Sequence, residues 1–369
     1  MGTEGQKYVW EGAIPLQIHL DESEITTLPP PPPALILGPR LGYLPLLVSL
    51  IKPYFSSTLP PGTDTVWFDY KGLPLKWYIP TGVLFDILCL EPERPWNLTV
   101  HFRTYPADLL SPCESEDTVK WNFINSLKEA AYIINGNCKN VMNMSQPDQL
   151  ELWRSFMNGH MEGNLRISSK LKLGTVGEES ATKKATAHHQ QSSSETKPDR
   201  IPVRLYVRSI DKDVHDLEDA PPVDSWDKIS YINRPVEIHM DDGKIFTLRD
   251  AIKTLLPEFF EDEPSIDEEL SRIELQDGDK ALETDLCDQD SEIVSTVRSR
   301  ELTDTLDECT PSSCCSSSGK TEVKLVRIQG IEPKLDIPFT WVVKNLSNPE
   351  HFLHICVCVV VAQGQDKMR

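Results

Sequence analysis

The sequence lacks an apolar run long enough to cross a membrane. A transmembrane helix needs ~20 predominantly apolar residues, whereas the run at 35–51 is interrupted by Gly38, Pro39, Arg40 and Pro45. A secretory signal peptide is missing as well, and the nine cysteines are an odd number for a disulfide framework. We therefore expect a soluble, intracellular protein with reduced thiols.

The sequence also lacks the motifs that carry common enzyme chemistry. It contains no Walker loop, no GxGxxG after a strand, no GxSxG elbow and no HExxH. Cys356 and Cys358 have no second Cys or His pair at zinc spacing, which favours buried small side chains over a metal site. The spacing of Cys89, Asn97 and His101 does not favour a thiol nucleophile built from these three residues. We predict no catalytic residue, no cofactor and no metal.

The net charge of −20 is distributed very unevenly. Residues 261–308 contain 18 Asp and Glu against 4 Lys and Arg, so this segment carries −14 of the total. The remainder is nearly balanced and gives no support for a nucleic-acid surface. Because the tract 261–320 has too few apolar side chains to form a core, we interpret it as a disordered insertion. We interpret 174–199 as a flexible linker.

One stretch of the chain, 66–102, recurs near the C-terminus in the same order. Gly72 and Pro80 each lie 258 positions before Gly330 and Pro338. Each copy is predicted to contain a strand, a glycine turn, a short apolar segment and a closing strand. A shared register of this length indicates one fold unit used twice. The alternative is two unrelated strand-turn pieces that are similar by chance.

The segments before the first copy complete a unit with the pattern β-β-α-β-β. We predict strands over 8–20 and 35–37. Pro15 lies near the middle of the first strand, which points to an edge strand or a bulge. A helix is predicted over 43–55, and Pro53 should end it.

The second unit follows the same order. Strands are predicted over 200–209 and 231–240, with a turn at 241–244. Thr247 has N-cap spacing ahead of an apolar segment, so a helix should begin there. The unit closes with the continuous apolar run 355–362, which is typical of a strand covered on both faces.

A helical region is predicted between the two units. Ser115 can cap a helix that Asn135-Gly136-Asn137 ends, and a second helix should begin near Pro147. The first helix has one apolar face, made of Val119, Phe123, Ile124, Leu127, Ala130, Ala131 and Ile134.

Several segments of the sequence closely resemble the autophagy-related protein 5 family. The resemblance is carried by the segments 67–86, 95–102, 242–248, 329–333 and 348–355. It spans nearly the whole chain except 174–199 and 261–320.

The resemblance implies an α+β fold in which two ubiquitin-like β-grasp domains flank a helix-rich domain. We accordingly predict a first β-grasp domain over 1–105 and a helix-rich domain over 106–173. The linker 174–199 would lead into a second β-grasp domain over 200–369 that contains the acidic insertion.

The resemblance also implies a function in autophagy. Members of the family accept the ubiquitin-like autophagy protein 12 through an isopeptide bond to one lysine, which maps to Lys128. The conjugate, held by the coiled-coil autophagy protein 16, acts like a ubiquitin ligase and promotes transfer of the ubiquitin-like protein 8 to phosphatidylethanolamine. E2-like conjugating enzymes are implied as further partners, with recruitment from the cytoplasm to phagophore assembly sites and peripheral membrane association through the complex.

The physics of the sequence is compatible with Lys128 as the acceptor but does not select it. Lys128 lies about 100° around the helix from Leu127, so its stem can rest on protein while its amine reaches water. Many surface lysines fit that description. The competing interpretation is a double β-grasp adaptor that binds partners without being modified.

Overall fold

A computed structural model describes residues 2–59, 61–62, 65–173, 199–214, 216–238, 245–260 and 322–361. The linker segment 174–198, the turn at 241–244 and the acidic tract at 261–320 lie outside these ranges. Among the described residues, no helix combines the length and the apolar character that crossing a bilayer requires.

The first module is a five-stranded sheet with two helices. Hydrogen bonds order its strands β2-β1-β5-β3-β4, with β1 and β5 parallel and the other neighbours antiparallel. Its elements in chain order are β1 (Ala13–Leu20), β2 (Ala34–Pro39), α2 (Val48–Phe55), β3 (Trp67–Tyr70), β4 (Leu73–Pro74), α3 (Thr81–Leu88) and β5 (Trp96–His101). A short helix, α1 (Glu4–Glu11), precedes β1.

The alternation of apolar and polar residues along β1 and β5 shows which face of the sheet forms the core of this module. Ile14, Leu16 and Ile18 of β1 point inward and are buried, as are Trp96 and Leu98 of β5. Inward side chains at every second position are what a half-buried strand requires. Both helices cover this inner face with buried apolar side chains.

Three predictions for the first unit are wrong in detail. Residues 8–11 are helical rather than extended, because Thr3 and Gln6 form a capping box that starts α1. β1 is an interior strand, and Pro15 is tolerated there because pairing with β5 begins only at the next residue. Pro53 lies within α2 and does not end it, since the helix continues to bury Phe55.

The predicted apolar segment after the glycine turn is the helix α3. A 3₁₀ turn at Leu44–Leu47, with Pro45 in its first positions, leads into α2 and accounts for the start of the helix predicted over 43–55.

The second module is a four-stranded sheet with two helices and a separate two-stranded ribbon. Its sheet has the order β10-β11-β7-β8, with β7 and β11 parallel, and β6 pairs with β9 in the ribbon. The elements are β6 (Asp199–Ile201), β7 (Val203–Asp211), β8 (Ile229–Asn233), β9 (Val236–Ile238), α8 (Leu248–Leu255), β10 (Glu322–Arg327), α9 (Phe339–Leu346) and β11 (Leu353–Val361).

Each long strand predicted in the second unit is divided in two. Pro202 separates β6 from β7 because it cannot donate to a ladder, and the segment 231–240 holds parts of β8 and β9. The predicted start of α8 is confirmed, since Thr247 and Asp250 form a capping box. The predicted covering of β11 on both faces is confirmed through Val359.

The two modules repeat one topology, which confirms the predicted repeat. With β4 set aside, the order β2-β1-β5-β3 corresponds to β8-β7-β11-β10. The turns at Lys71-Gly72 and Gln329-Gly330 both have positive φ, at 53° and 84° in the first and 54° and 75° in the second. Positive φ at both central residues is the mark of a type I′ hairpin turn. The helices α3 and α9 also begin and end 258 positions apart.

Four helices form the region between the modules: α4 (Glu116–Asn135), α5 (Lys139–Met142), α6 (Gln146–Met157) and α7 (Met161–Lys170). Ser115 is the N-cap residue of α4 by conformation, although its side chain makes no capping hydrogen bond, and Gly136 ends the helix with φ 73°. The predicted apolar face of α4 is buried except for Ile134, which is partly exposed. The helix α7 was not predicted. Gly163 lets it approach α6, because a Cβ there would lie 2.2 Å from Ser155 Oγ.

The helix α3 joins the two modules. All eight of its residues are buried, and it packs against β7 and β11 of the second module as well as its own sheet. Two arginines of the second module donate to the carbonyls at its C-terminal end. Arg208 donates to Ile87 and Leu88, and Arg327 donates to Cys89 and Leu90, at 2.9–3.2 Å. These bonds satisfy carbonyls that a helix end leaves without partners.

Candidate functional site

Lys128 lies on α4 where the helix meets solvent. Its side chain is partly exposed, and its Nζ lies 3.3 Å from Asn125 Oδ1. Leu127, the preceding residue, is completely buried. The lysine therefore presents a primary amine at the surface from a helix that is fixed in the core.

The residue that follows Lys128 attaches α4 to the second module. Glu129 Oε2 lies 2.8 Å from Arg204 Nη2, and Glu129 Oε1 accepts from Asn233 Nδ2 at 2.7 Å. Arg204 also donates to Ser126 Oγ at 3.2 Å. With both carboxylate oxygens of Glu129 engaged, α4 is held in one rotation about its axis.

Arg204 is itself held from the other side. Its guanidinium lies 3.8 Å from the centre of the Phe352 ring, and burial leaves only 13% of its side chain exposed. A planar guanidinium that stacks on a ring while it pairs with a carboxylate is a rigid link. The site is therefore built from α4 and from β7 of the second module.

A stripe of exposed and partly exposed side chains runs along the solvent face of α4. Trp121, Asn125, Lys128 and Tyr132 follow one another at helical spacing, and we call them the acceptor stripe. Trp121 is 60% exposed and Tyr132 is 62% exposed. Two large aromatic side chains thus stand in water on either side of the lysine.

Three buried cysteines in the described part of the chain are unsuited to nucleophilic chemistry at neutral pH. Burial raises the pKa of Cys89 to about 12 and that of Cys358 to about 11, and it also raises the pKa of Cys356. Thiols with such pKa values stay protonated, whereas the thiolate is the reactive form. The expectation that Cys356 and Cys358 are buried small side chains is confirmed.

Asn97 and His101 bond to groups other than the Cys89 thiol. Asn97 Nδ2 donates to the Pro95 carbonyl, and His101 Nε2 lies 2.6 Å from Asp69 Oδ2. Within the described ranges, no group of three or more His, Cys, Asp or Glu side chains is arranged to hold a metal ion.

Three family models match the chain in sequence order. They are described as "Autophagy protein ATG5, UblA domain" at residues 9–102, "Autophagy protein ATG5, alpha-helical bundle region" at 116–174, and "Autophagy protein ATG5, UblB domain" at 200–357. The chain belongs to the autophagy protein 5 family. Autophagy protein 5 of Arabidopsis thaliana is 56% identical over 98% of this chain and 100% of its own length. The corresponding protein of Oryza sativa subsp. indica is 54% identical over 99% of this chain and 96% of its own.

A solved structure has the same fold. The crystal structure of Kluyveromyces marxianus Atg5 matches with a TM-score of 0.56 over 96% of this chain and 99% of that one, at 18% identity. The predicted α+β fold, with two ubiquitin-like β-grasp domains flanking a helix-rich domain, is thereby confirmed, and family membership gives the protein a role in autophagy.

Several residues of this surface were missed by sequence reasoning. The link between Glu129 and Arg204 joins positions 75 apart and leaves no local signal. Trp121 and Tyr132 could have been found, because they stand seven positions before and four positions after Lys128 and so share its face.

Proposed function

We propose that this protein is an autophagy scaffold that is covalently conjugated at Lys128 to the ubiquitin-like autophagy protein 12. One observation carries the proposal. Lys128 presents an accessible amine on a helix that Glu129 and Arg204 hold rigidly against the second module. A fixed amine at the surface is what a bulky thioester-bearing enzyme needs to reach.

The reaction requires groups that the acceptor surface does not supply. Lys128 Nζ attacks the thioester carbonyl, the new C–N amide bond forms, the C–S bond breaks, and the thiolate of the conjugating enzyme leaves. Ordinary lysine side chains are almost entirely protonated at pH 7, so a base must remove a proton from the amine. The neighbouring carboxylate, Glu129, is committed to Arg204 and Asn233. The conjugating enzyme therefore provides the base, and Lys128 is a substrate.

We further propose that the conjugate, held by the coiled-coil autophagy protein 16, acts like a ubiquitin ligase. It promotes transfer of the ubiquitin-like protein 8 to phosphatidylethanolamine at phagophore membranes. The effect would be positional, because bringing a charged conjugating enzyme close to its acceptor raises its effective concentration. We retain the predicted domains 1–105, 106–173 and 200–369 and the cytoplasmic location as parts of this proposal.

The test is the Lys128→Arg variant in cells that express the modifier and its enzymes. Arginine keeps the charge but offers no amine that forms an isopeptide, so the high-mass species on a denaturing gel should disappear. Lys139→Arg, at an exposed position on α5, is the matched control and should be conjugated normally. Mass spectrometry of the wild type should find a branched peptide at Lys128. Normal conjugation of Lys128→Arg contradicts the proposal and favours an adaptor that is not modified there.

A further inference from the structure

We propose that the acceptor stripe of α4 is the docking surface for the conjugating enzyme that delivers the modifier. This inference rests on the proposed function, because it concerns the protein that brings the thioester to Lys128. It goes beyond that function by assigning Trp121 and Tyr132 as residues that determine whether the enzyme binds productively.

Two aromatic side chains of α4 are largely exposed. The buried face of α4 contains Phe123, Ile124 and Leu127, whereas Trp121 and Tyr132 each leave about three-fifths of their surface in water. Tryptophan and tyrosine are the residue types most enriched among the energetically dominant positions of protein interfaces. Their exposure on a rigid helix therefore indicates a binding surface.

Trp121 and Tyr132 both lie close to the reacting amine of Lys128. With a rise of about 1.5 Å per residue, Tyr132 stands about 6 Å along the helix from Lys128, and Trp121 about 10 Å in the other direction. The thioester carbonyl must come within about 3–3.5 Å of Nζ to react. An enzyme that reaches the amine over this convex helix covers both aromatics, so the stripe is continuous with the site of bond formation.

The lack of a free base beside Lys128 favours the conjugating enzyme, and not the modifier, as the protein that occupies the stripe. The side chain that contacts the Lys128 amine is Asn125, an amide that cannot act as a base. Glu129 is unavailable because Arg204 and Asn233 hold its two oxygens. Because the enzyme brings the base as well as the thioester, it must be aligned on the helix, and the stripe supplies the binding energy for that alignment. The modifier then needs no binding site of its own on the stripe.

The helix α4, which presents the stripe, is firmly held in place. Val119, Phe123 and Leu127 are completely buried on the inner face of α4, and Glu129 joins its flank to the second module. A surface that does not rearrange loses little entropy when a partner binds. The stripe is therefore preorganised for a brief encounter with an enzyme.

The experiment measures single-turnover conjugation in the complete purified chain. Trp121→Ala, Tyr132→Ala and the double variant are mixed with increasing concentrations of the cognate conjugating enzyme, charged in advance with the modifier. The double variant should raise the half-saturating enzyme concentration by at least ~10-fold while the maximal rate changes less than ~3-fold. Trp341→Ala and Tyr8→Ala, at exposed aromatic positions on α9 and α1, are matched controls and should react like the wild type.

The outcomes separate this inference from the proposed function. If the double variant saturates like the wild type while Lys128→Arg is inert, the docking assignment is wrong and the acceptor assignment stands. If transfer is unchanged but the finished conjugate of the double variant unfolds at a lower temperature, the modifier occupies the stripe and the assignment to the enzyme is wrong. If the wild type is not conjugated at Lys128 at any enzyme concentration, both fail. Circular dichroism of each variant confirms that the helices are intact, and a direct titration with uncharged enzyme gives an independent reading of binding.

Discussion

The helices α3 and α9 occupy equivalent positions in the two modules but have different surroundings. Every residue of α3 is buried, because the sheets of both modules cover it. In contrast, α9 packs against α8 of its own module and against α1, and Trp341 on its surface is 45% exposed. One helix position in a repeated fold thus serves once as an outer layer and once as a joint between domains.

Single residues account for the difference. Asp86 in α3 is buried and pairs with Arg40 at 2.5 Å, and its Oδ2 also accepts from Gly330 N at 2.8 Å. Burial raises the pKa of Asp86, and the charge of Arg40 opposes that change. The equivalent residue in α9 is Lys344, a side chain suited to a wet surface. Topology thus fixes where the helix lies, whereas a few polar and small residues decide what can cover it.

The largest expected effect comes from removing an arginine that caps α3. Arg208→Ala leaves the carbonyls of Ile87, Leu88 and Pro221 without their donor. Unpaired buried carbonyls cost about 1–3 kcal/mol each when water cannot replace the donor, so we expect a loss of about 3–5 kcal/mol in the free energy of unfolding. Urea titration measures it.

The control for that variant is Arg234→Ala. Arg234 donates to the Thr254 carbonyl at an exposed position of the second module, so its loss should change the free energy of unfolding by less than about 0.5 kcal/mol. Equal losses in the two variants would show that α3 does not depend on donors from the second module.

The two glycine turns offer a matched pair. Gly72 and Gly330 both have positive φ, so alanine strains either turn by about 1 kcal/mol. A Cβ at Gly72 meets nothing within 4 Å, whereas at Gly330 it lies 2.8 Å from Arg40 Cζ. Gly330→Ala must therefore displace Arg40, the partner of Asp86. We expect it to lower the free energy of unfolding by about 2–3 kcal/mol in urea titrations. Equal costs at the two turns would mean that Arg40 can move freely.

The segment between α9 and β11 contains a buried histidine contact, whereas its counterpart between α3 and β5 contains no histidine. His351 Nε2 lies 2.9 Å from Ser168 Oγ of α7, and burial lowers the pKa of His351 to about 4. An unfolded histidine has a pKa near 6.5, so the unfolded chain binds more protons between pH 6.5 and 4. Stability is therefore complete above about pH 6.5 and declines as the pH falls, by about 2 kcal/mol at pH 5.

The variant His351→Asn should reduce this pH dependence. Asparagine does not titrate and tolerates the left-handed backbone, which has φ 66° at this position. Urea titrations at pH 7.5 and pH 5 should show a smaller difference in the variant, although burial also lowers the pKa of His354 and leaves part of the slope. His19→Asn, at an exposed position, should keep the full difference. An unchanged slope in His351→Asn would assign the effect to other groups.

The smallest expected effect concerns the second residue of each helix. Gly82 of α3 has Arg40 as its neighbour, and a Cβ there would lie 2.9 Å from the Arg40 backbone oxygen. Alanine favours a helix by about 1 kcal/mol over glycine, but the overlap outweighs this gain, so Gly82→Ala should destabilise the protein by about 1–2 kcal/mol. Thr340→Ala at the equivalent position of α9 should be neutral or slightly stabilising. Thermal unfolding of the two variants in parallel checks the difference, and a stabilised Gly82→Ala would refute it.

The features that sequence predicted are those encoded locally or by spacing. The capping box at Thr247 and the glycine turns depend on residues within a few positions of each other. The repeat distance of 258 then placed both copies of the turn. The helix α7 was missed because Gly163 disfavours a helix, and only the contact with Ser155 of α6 explains it.

The contacts between α3 and the second module, and the candidate site at Lys128, could not be predicted in this way. Arg208 and Arg327 meet their carbonyl partners across more than a hundred residues of chain, and no local pattern records such a pairing. Lys128 was selected by resemblance alone, because its position at the edge of an apolar face is common among surface lysines.

The burial of α3 between two sheets has a practical consequence for anyone who divides this chain. A fragment ending near residue 105 would leave the apolar residues of α3 in water on the side that β11 covers in the whole protein, and a fragment beginning near residue 200 would leave Arg208 and Arg327 without the carbonyls they bind. Each half should be prone to aggregate when it is produced by itself. Recovery of soluble material should require that both pieces be synthesised together in one cell.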